Sequence, residues 1–160
     1  MNHEHELFTQ ENFLNLPDEY FYSIDKRIVS VSKAISLQNE SSQMAGYRLL
    51  ADYGDISYLL RIGLALKPST GQEVVVIWHE ILNISNGPNF ESSYQKIVEW
   101  WKSTHPMPLF DIGVNTDSKK VLLGIDVPTV SISKISTKNL ISRLIEIIPG
   151  VEAKVKELSS

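Results

Sequence analysis

The side chains capable of chemistry are few and scattered. His79-Glu80 opens the spacing of a zinc-peptidase helix, in which two histidines four residues apart share a helical face, but position 83 is Asn. The flanking residues alternate as a strand, so two ligands would not share a face, and His79 reads as a polar residue on a sheet. His3 and His5 offer imidazoles for a transition metal, but they stand near a terminus that frays. Neither a metal nor a cofactor is expected. Asp52, Asp55, Asp111 and Asp126 are the carboxylates nearest strand ends. Two converging carboxylates in unlike surroundings can share acid and base work, but turn preferences and solvent-facing strand positions account for all four. No serine stands in a Gly-x-Ser-x-Gly elbow, and Gly54, Gly63, Gly71, Gly113 and Gly124 form no phosphate-cradling loop. The chain is not expected to be an enzyme.

Aromatic residues offer a different chemistry, since desolvated Trp and Tyr side chains anchor protein contacts. Trp78, Trp100, Trp101, Tyr58 and Tyr94 are the candidates. Trp101 falls on the main stripe of its helix and reads as core, whereas Trp100 lies about 80° from Phe90 at a step of ~100° per residue and reads as surface. They do not interleave with basic residues, as stacking on single-stranded nucleic acid would require.

The elements that position these residues follow from periodicity. From Pro17 to Gln38, Phe21, Ile24, Ile28, Val31 and Ile35 recur at steps of three and four, the stripe of an amphipathic helix, with Pro17, Asp18 and Glu19 suited to its first turn. The alternation of Val29 and Val31, and then of Ile35 and Leu37, leaves a strand as the rival. Residues 39 to 44 are polar and read as a connection. Tyr47 to Tyr53 and Ile56 to Leu66 alternate on either side of Gly54-Asp55, a hairpin, and a second turn at Lys67 to Gly71 leads into Glu73 to Ile84. That strand carries bulk on both faces: Val74, Val76, Trp78 and Leu82 against Val75, Ile77 and Ile81. It is expected to be covered twice, by helices and by a second subunit. Phe90, Tyr94, Ile97, Val98 and Trp101 predict a helix capped by Asn89 and stopped at His105-Pro106. A second hairpin follows on either side of Asn115 to Ser118. A last helix carries Leu140, Ile141, Leu144, Ile145 and Ile148, capped by Ser136 or Thr137, and a short helical tail lies beyond Pro149-Gly150.

The expected fold is a two-layer α+β domain, an antiparallel sheet with helices on one face, in the order α-β-β-β-α-β-β-α. The 160 residues are expected to form one domain, with residues 1–16 a loosely ordered N-terminal segment. With no Cys there is no disulfide framework, which is typical of a reducing compartment and predicts a cytoplasmic location. His3 to Glu6 stand where a secretory signal would be basic and then apolar, and no apolar run reaches the length of a membrane span. A net charge of −4 repels phosphate and anionic lipid, and the basic doublets Lys26-Arg27 and Lys119-Lys120 make no footprint for nucleic acid.

The segment from Phe110 to Pro128, Phe-Asp-Ile-Gly-Val-Asn-Thr-Asp-Ser-Lys-Lys-Val-Leu-Leu-Gly-Ile-Asp-Val-Pro, followed by a serine-rich cap and helix, resembles the second hairpin and closing helix of type III secretion chaperones and the YbjN-like family. The likeness in element order runs from about residue 18 to residue 158. It implies a small acidic homodimer that binds another protein, either an extended client segment or a regulatory target. Sheet edges and faces suit such binding without a catalytic pocket. Val75, Ile77, Trp78, His79 and Trp100 are the candidate protein-binding residues. Two other classes remain: a small-molecule-binding or hydrolytic α+β domain with a pocket between sheet and helices, and an immunity or inhibitor protein for a basic target.

Overall fold

The computed structural model describes residues 6–39, 42–67, 69–84, 87–115 and 119–159. Two short helices, α1 (Gln10–Leu14) and α2 (Asp18–Tyr22), precede four strands, β1 (Ile28–Asn39), β2 (Ser42–Asp52), β3 (Ser57–Leu66) and β4 (Glu73–Glu80). Helix α3 (Phe90–Thr104), strands β5 (Asp111–Asn115) and β6 (Lys120–Pro128), a short 3-10 turn at Thr129–Ser131 and helix α4 (Lys134–Ser159) complete the order. The strands form one antiparallel sheet in the order β1-β2-β3-β4-β6-β5. The α+β class with an antiparallel sheet is therefore as the periodicity indicates.

Three elements differ from expectation. The stripe from Pro17 to Gln38 is not one helix: α2 ends at Tyr22 and β1 begins at Ile28. β-Branched Ile28, Val29 and Val31 interleaved with Ser30 and Ser32 favour a pleated strand, because their side chains lose rotamer freedom in a helix while serine competes for its backbone. β1 then pairs with β2 along nearly its whole length, so most of the polar stretch at 39 to 44 belongs to the two strands, while residues 40 and 41 lie outside the described residues. The second difference is at the N-terminus, where residues 6–16 are packed rather than loose. Thr9 and Asn12 cap α1 reciprocally, Leu7 bridges to Ser133, and Phe8, Phe13 and Leu16 enter the core. Third, the last helix and its tail are one helix, α4, with Pro149 inside it. Its start is capped by Ser133, whose hydroxyl accepts from the Ser136 amide at 3.2 Å while the Ser136 hydroxyl accepts from the Ser133 amide at 2.9 Å.

Proline at position 149 cannot donate to the carbonyl of Ile145, four residues earlier, and an orphaned buried acceptor is destabilising. The Tyr53 hydroxyl takes that role, donating to the Ile145 oxygen at 2.6 Å. Two more tyrosines make similar tethers: Tyr20 donates to the Lys134 carbonyl and Tyr47 to the Phe13 carbonyl, both at 2.7 Å. Each joins the sheet layer or α2 to another element through one phenol.

A single cluster gathers the buried side chains of α1 to α4 with one face of the sheet: Tyr47 and Leu49 on β2, Tyr58, Leu60, Ile62 and Leu64 on β3, Val75 and Ile77 on β4, and Val121 and Leu123 on β6. All are alternate strand positions, so the helices cover one face only. Among the described residues no helix is long and apolar enough to cross a membrane.

Candidate functional site

The strand periodicity that turns one face to the helices turns the other outward, and the register fixes who stands beside whom there. Arg48 pairs with Arg61, Arg61 with Trp78, Trp78 with Gly124 and Gly124 with Asp111, one row running across five strands. On one side of it lie Leu50, Leu59, Glu80 and Leu122; on the other lie Gly46, Gly63, Val76 and Asp126, followed by Ala65, Val74 and Pro128. Leu50, Leu59, Val76, Trp78 and Leu122 take no part in the core cluster. Leu59 is 36% exposed and the other four are half-buried. The result is a set of apolar side chains on the face that the helices leave open, with Glu80, paired to Lys120 at 3.5 Å, beside Leu122.

Gly124 is needed for this arrangement. A methyl group there would come within 2.7 Å of the Trp78 Cβ and 2.6 Å of the Ile77 carbonyl oxygen, so only glycine lets β6 close against β4 beside the indole. A depression of about 370 Å3 results, with Val76, Trp78 and Leu122 in its lining and Asp111 and Asp126 among the polar side chains. Arg48, Asp111 and Asp126 are exposed and Arg61 is half-buried. Among the described residues none of these four charges is held in an ion pair, in contrast to Arg27, which binds Asp25 and Glu146.

The five candidate binding residues do not form one surface. Val75, Ile77 and His79 alternate onto the helix-covered face, where their exposures are 0, 1 and 1%, so they are corrected from contact residues to core. Trp78 stands on the open face. Trp100 belongs to the helix layer, half-buried against the core, edge-on to Trp101 at 5.7 Å and near the His105 ring. Trp101 is core, its indole N–H donating to the Phe110 carbonyl at 2.9 Å.

His79 has an internal partner that the sequence reading missed. Its Nδ1 lies 2.9 Å from the Leu59 carbonyl oxygen and its Nε2 lies 2.9 Å from a carboxylate oxygen of Glu152, which is fully buried. A carbonyl only accepts, so Nδ1 donates to it, and the Nε2 contact shares a proton with the carboxylate. The same carboxylate accepts from the backbone amides of Leu82 and Asn83. Glu152 thus ties the chain leaving β4 to α4. The available signal was its place on the apolar stripe of α4, four residues after Ile148 and three before Val155.

This buried pair is enclosed, so a substrate cannot reach it. Glu80 points to the face opposite His79, and among the described residues no group of three or more His, Asp or Glu is close enough to hold a metal ion. His3 and His5 lie outside the described residues. Asp52 is the last residue of β2 and Asp55 lies in the turn before β3, where Asp52 accepts from the Gly54 amide. Asp111 and Asp126 line the same depression on the open face, and both are exposed. Comparison with known proteins finds no matching family model, no matching characterised protein and no matching solved structure.

Proposed function

We propose that this chain is a non-enzymatic protein-binding domain, chaperone-like or a regulatory adaptor, that acts as a homodimer through the open face of its sheet. One observation carries the reading: the apolar side chains of Leu50, Leu59, Val76, Trp78 and Leu122 lie outward among charges, with none of the described elements over them. Apolar side chains beside polar groups and a central aromatic are the usual composition of a protein contact. The half-buried Trp78 offers a large aromatic side chain with only two torsions to fix on binding. The free edge of β1 is a second place for an extended segment to pair.

The test uses a photo-crosslinking amino acid at position 122, on the open face, in the full chain in its native host. The expected product is an adduct of discrete mass with another protein chain. The same label at Glu99, on the exposed side of α3, is expected to give none. No adduct at position 122, or identical adducts at both positions, contradicts the reading.

A further inference from the structure

Gly124 leaves an empty place on the open face, and the charges around it decide what fits there. In the register it stands directly between Trp78 of β4 and Asp111 of β5, with Asp126 two residues along its own strand. Strands about 4.8 Å apart put the indole and the Asp111 carboxylate on opposite sides of a gap roughly 10 Å across, with glycine backbone as its floor. Gly113, the next outward position on β5, also lacks a side chain, and a methyl group there would meet nothing within 4 Å. The depression of about 370 Å3 is this gap, lined by the indole, Val76, Leu122 and two exposed carboxylates.

The other charges of the face stand elsewhere. Arg61 is on β3, on the far side of Trp78 from Gly124, and Arg48 is one strand beyond it. Lys120 and Glu80 pair with each other at 3.5 Å, so together they add no net charge. Asp52 ends β2, its carboxylate accepting from the Gly54 amide, and the outward positions of β1 beside Leu50 and Arg48 are Ser30 and Ser32. The lining of the depression thus contains two carboxylates and no cation.

We infer that this depression takes the side chain of a lysine or arginine carried by an extended segment of the partner protein. This rests on the reading of the open face as a protein contact and names the chemistry recognised there. A cation on an apolar stem matches the lining twice: its methylenes lie along Val76 and Leu122, and its head meets an aromatic ring and two carboxylates. A neutral apolar side chain would cover the carboxylates without pairing them, and an acidic one would be repelled. Because β5 is the edge strand, a segment paired along it presents alternate side chains on the open face, beside Asp111 and Gly113. Only the β5–β6 end of the face is used in this way. Leu50 and Leu59 lie on the other side of Trp78, on β2 and β3, and are left to the second copy.

The probe is the acetylated and amidated peptide Thr-Val-Lys-Val-Thr, titrated into the isotope-labelled full chain and followed by NMR at the Trp78 indole N–H and the Gly113 and Gly124 amides. Replacing its lysine by norleucine is expected to weaken binding about tenfold, while arginine binds like lysine and glutamate does not bind. Asp111→Asn with Asp126→Asn, at two exposed positions, is expected to reduce the lysine peptide to the norleucine affinity and to leave the melting temperature and the sedimentation mass unchanged. Gly113→Val fills the depression with a side chain that suits a strand and is expected to abolish binding of both peptides in a folded chain. Equal affinities for the lysine and norleucine peptides, a lysine affinity unchanged in the double Asn variant, or no shift at the three groups overturns the inference. A crosslink from position 122 to another protein that persists undiminished in both variants overturns the cation site and leaves protein recognition standing. The absence of any adduct at position 122 in the wild-type chain overturns both.

Discussion

At the scale of single residues, the interior is held by polar groups that each satisfy a specific backbone need. Glu152 accepts two backbone amides and faces His79, and both side chains are out of contact with water. Truncating one member of such a group leaves the rest unsatisfied, so Glu152→Ala is expected to lower stability by about 3–5 kcal/mol in denaturant unfolding; a loss below about 1 kcal/mol would contradict this role. Tyr53 and Pro149 form a second unit. Tyr53→Phe removes the donor to the Ile145 carbonyl and is expected to cost about 1–3 kcal/mol, with much less lost when Pro149→Ala restores an amide in the helix. Equal losses in both backgrounds would show that the two residues are not coupled. Burial raises the phenols of Tyr20, Tyr47 and Tyr58 and pushes that of Tyr53 up to about 12. A group raised on folding stabilises fully below its unfolded value near 10, and that contribution disappears as pH rises through the folded value. Stability is therefore expected to fall steadily above about pH 10, with phenolate absorbance rising as the fold is lost. Phenolate absorbance complete near pH 10 in the still-folded chain would contradict the three phenol tethers. At the acid end, the Arg27 guanidinium hydrogen-bonded to Asp25 lowers that carboxyl, so its contribution is full above the ordinary carboxylate range and is lost as pH falls through the lowered folded value.

At the scale of elements, what could be read from the sequence depended on whether local pattern and tertiary pairing agreed. Strands β2, β3, β4, β5 and β6 and helices α3 and the main stretch of α4 alternate or step cleanly, and all are present. β1 was ambiguous because Ile28, Val31 and Ile35 fit a helical step as well as a strand, and only its pairing with β2 decides. The inward or outward sense of β4 was unreadable for a related reason. Val74 to Ile77 are apolar on both faces, so alternation cannot say which face the helices take; Trp78 is outward and His79 inward because Glu152 waits on α4. Residues 6–16 lack a long apolar stripe, yet Phe8 and Phe13 reach the core and Phe13 packs edge-on to Tyr47 at 5.5 Å. Removal of residues 1–16 is expected to destabilise the fold by at least about 3–6 kcal/mol, at roughly 1.5–3 kcal/mol for each buried phenylalanine. A truncated chain with an unchanged unfolding midpoint would show that the segment is dispensable.

At the scale of the whole molecule, the sheet is finished on one side only. The helices, the tyrosine tethers and the His79–Glu152 pair complete one layer, while Trp78 and its apolar neighbours stand on the outward face among charges of both signs: Arg48 and Arg61 on β2 and β3, Glu80 of β4 paired with Lys120 of β6, and Asp111 and Asp126 on β5 and β6. That face was only half legible: the apolar residues on both sides of Glu73 to Ile84 are plain in the sequence, but which charges stand beside Trp78 appears only when the register brings Arg48, Arg61 and Asp111 into its row. Because Trp78 faces outward, replacing it with a charge should remove association and spare the fold. The decisive measurement is the sedimentation mass of the wild-type chain beside that of Trp78→Glu over the same concentrations. The account predicts a wild-type mass rising toward about 36 kDa, twice the chain's 18.1 kDa, and a variant that stays at 18.1 kDa with an unaltered melting temperature. Two indistinguishable mass profiles, or a variant that no longer folds, would contradict it.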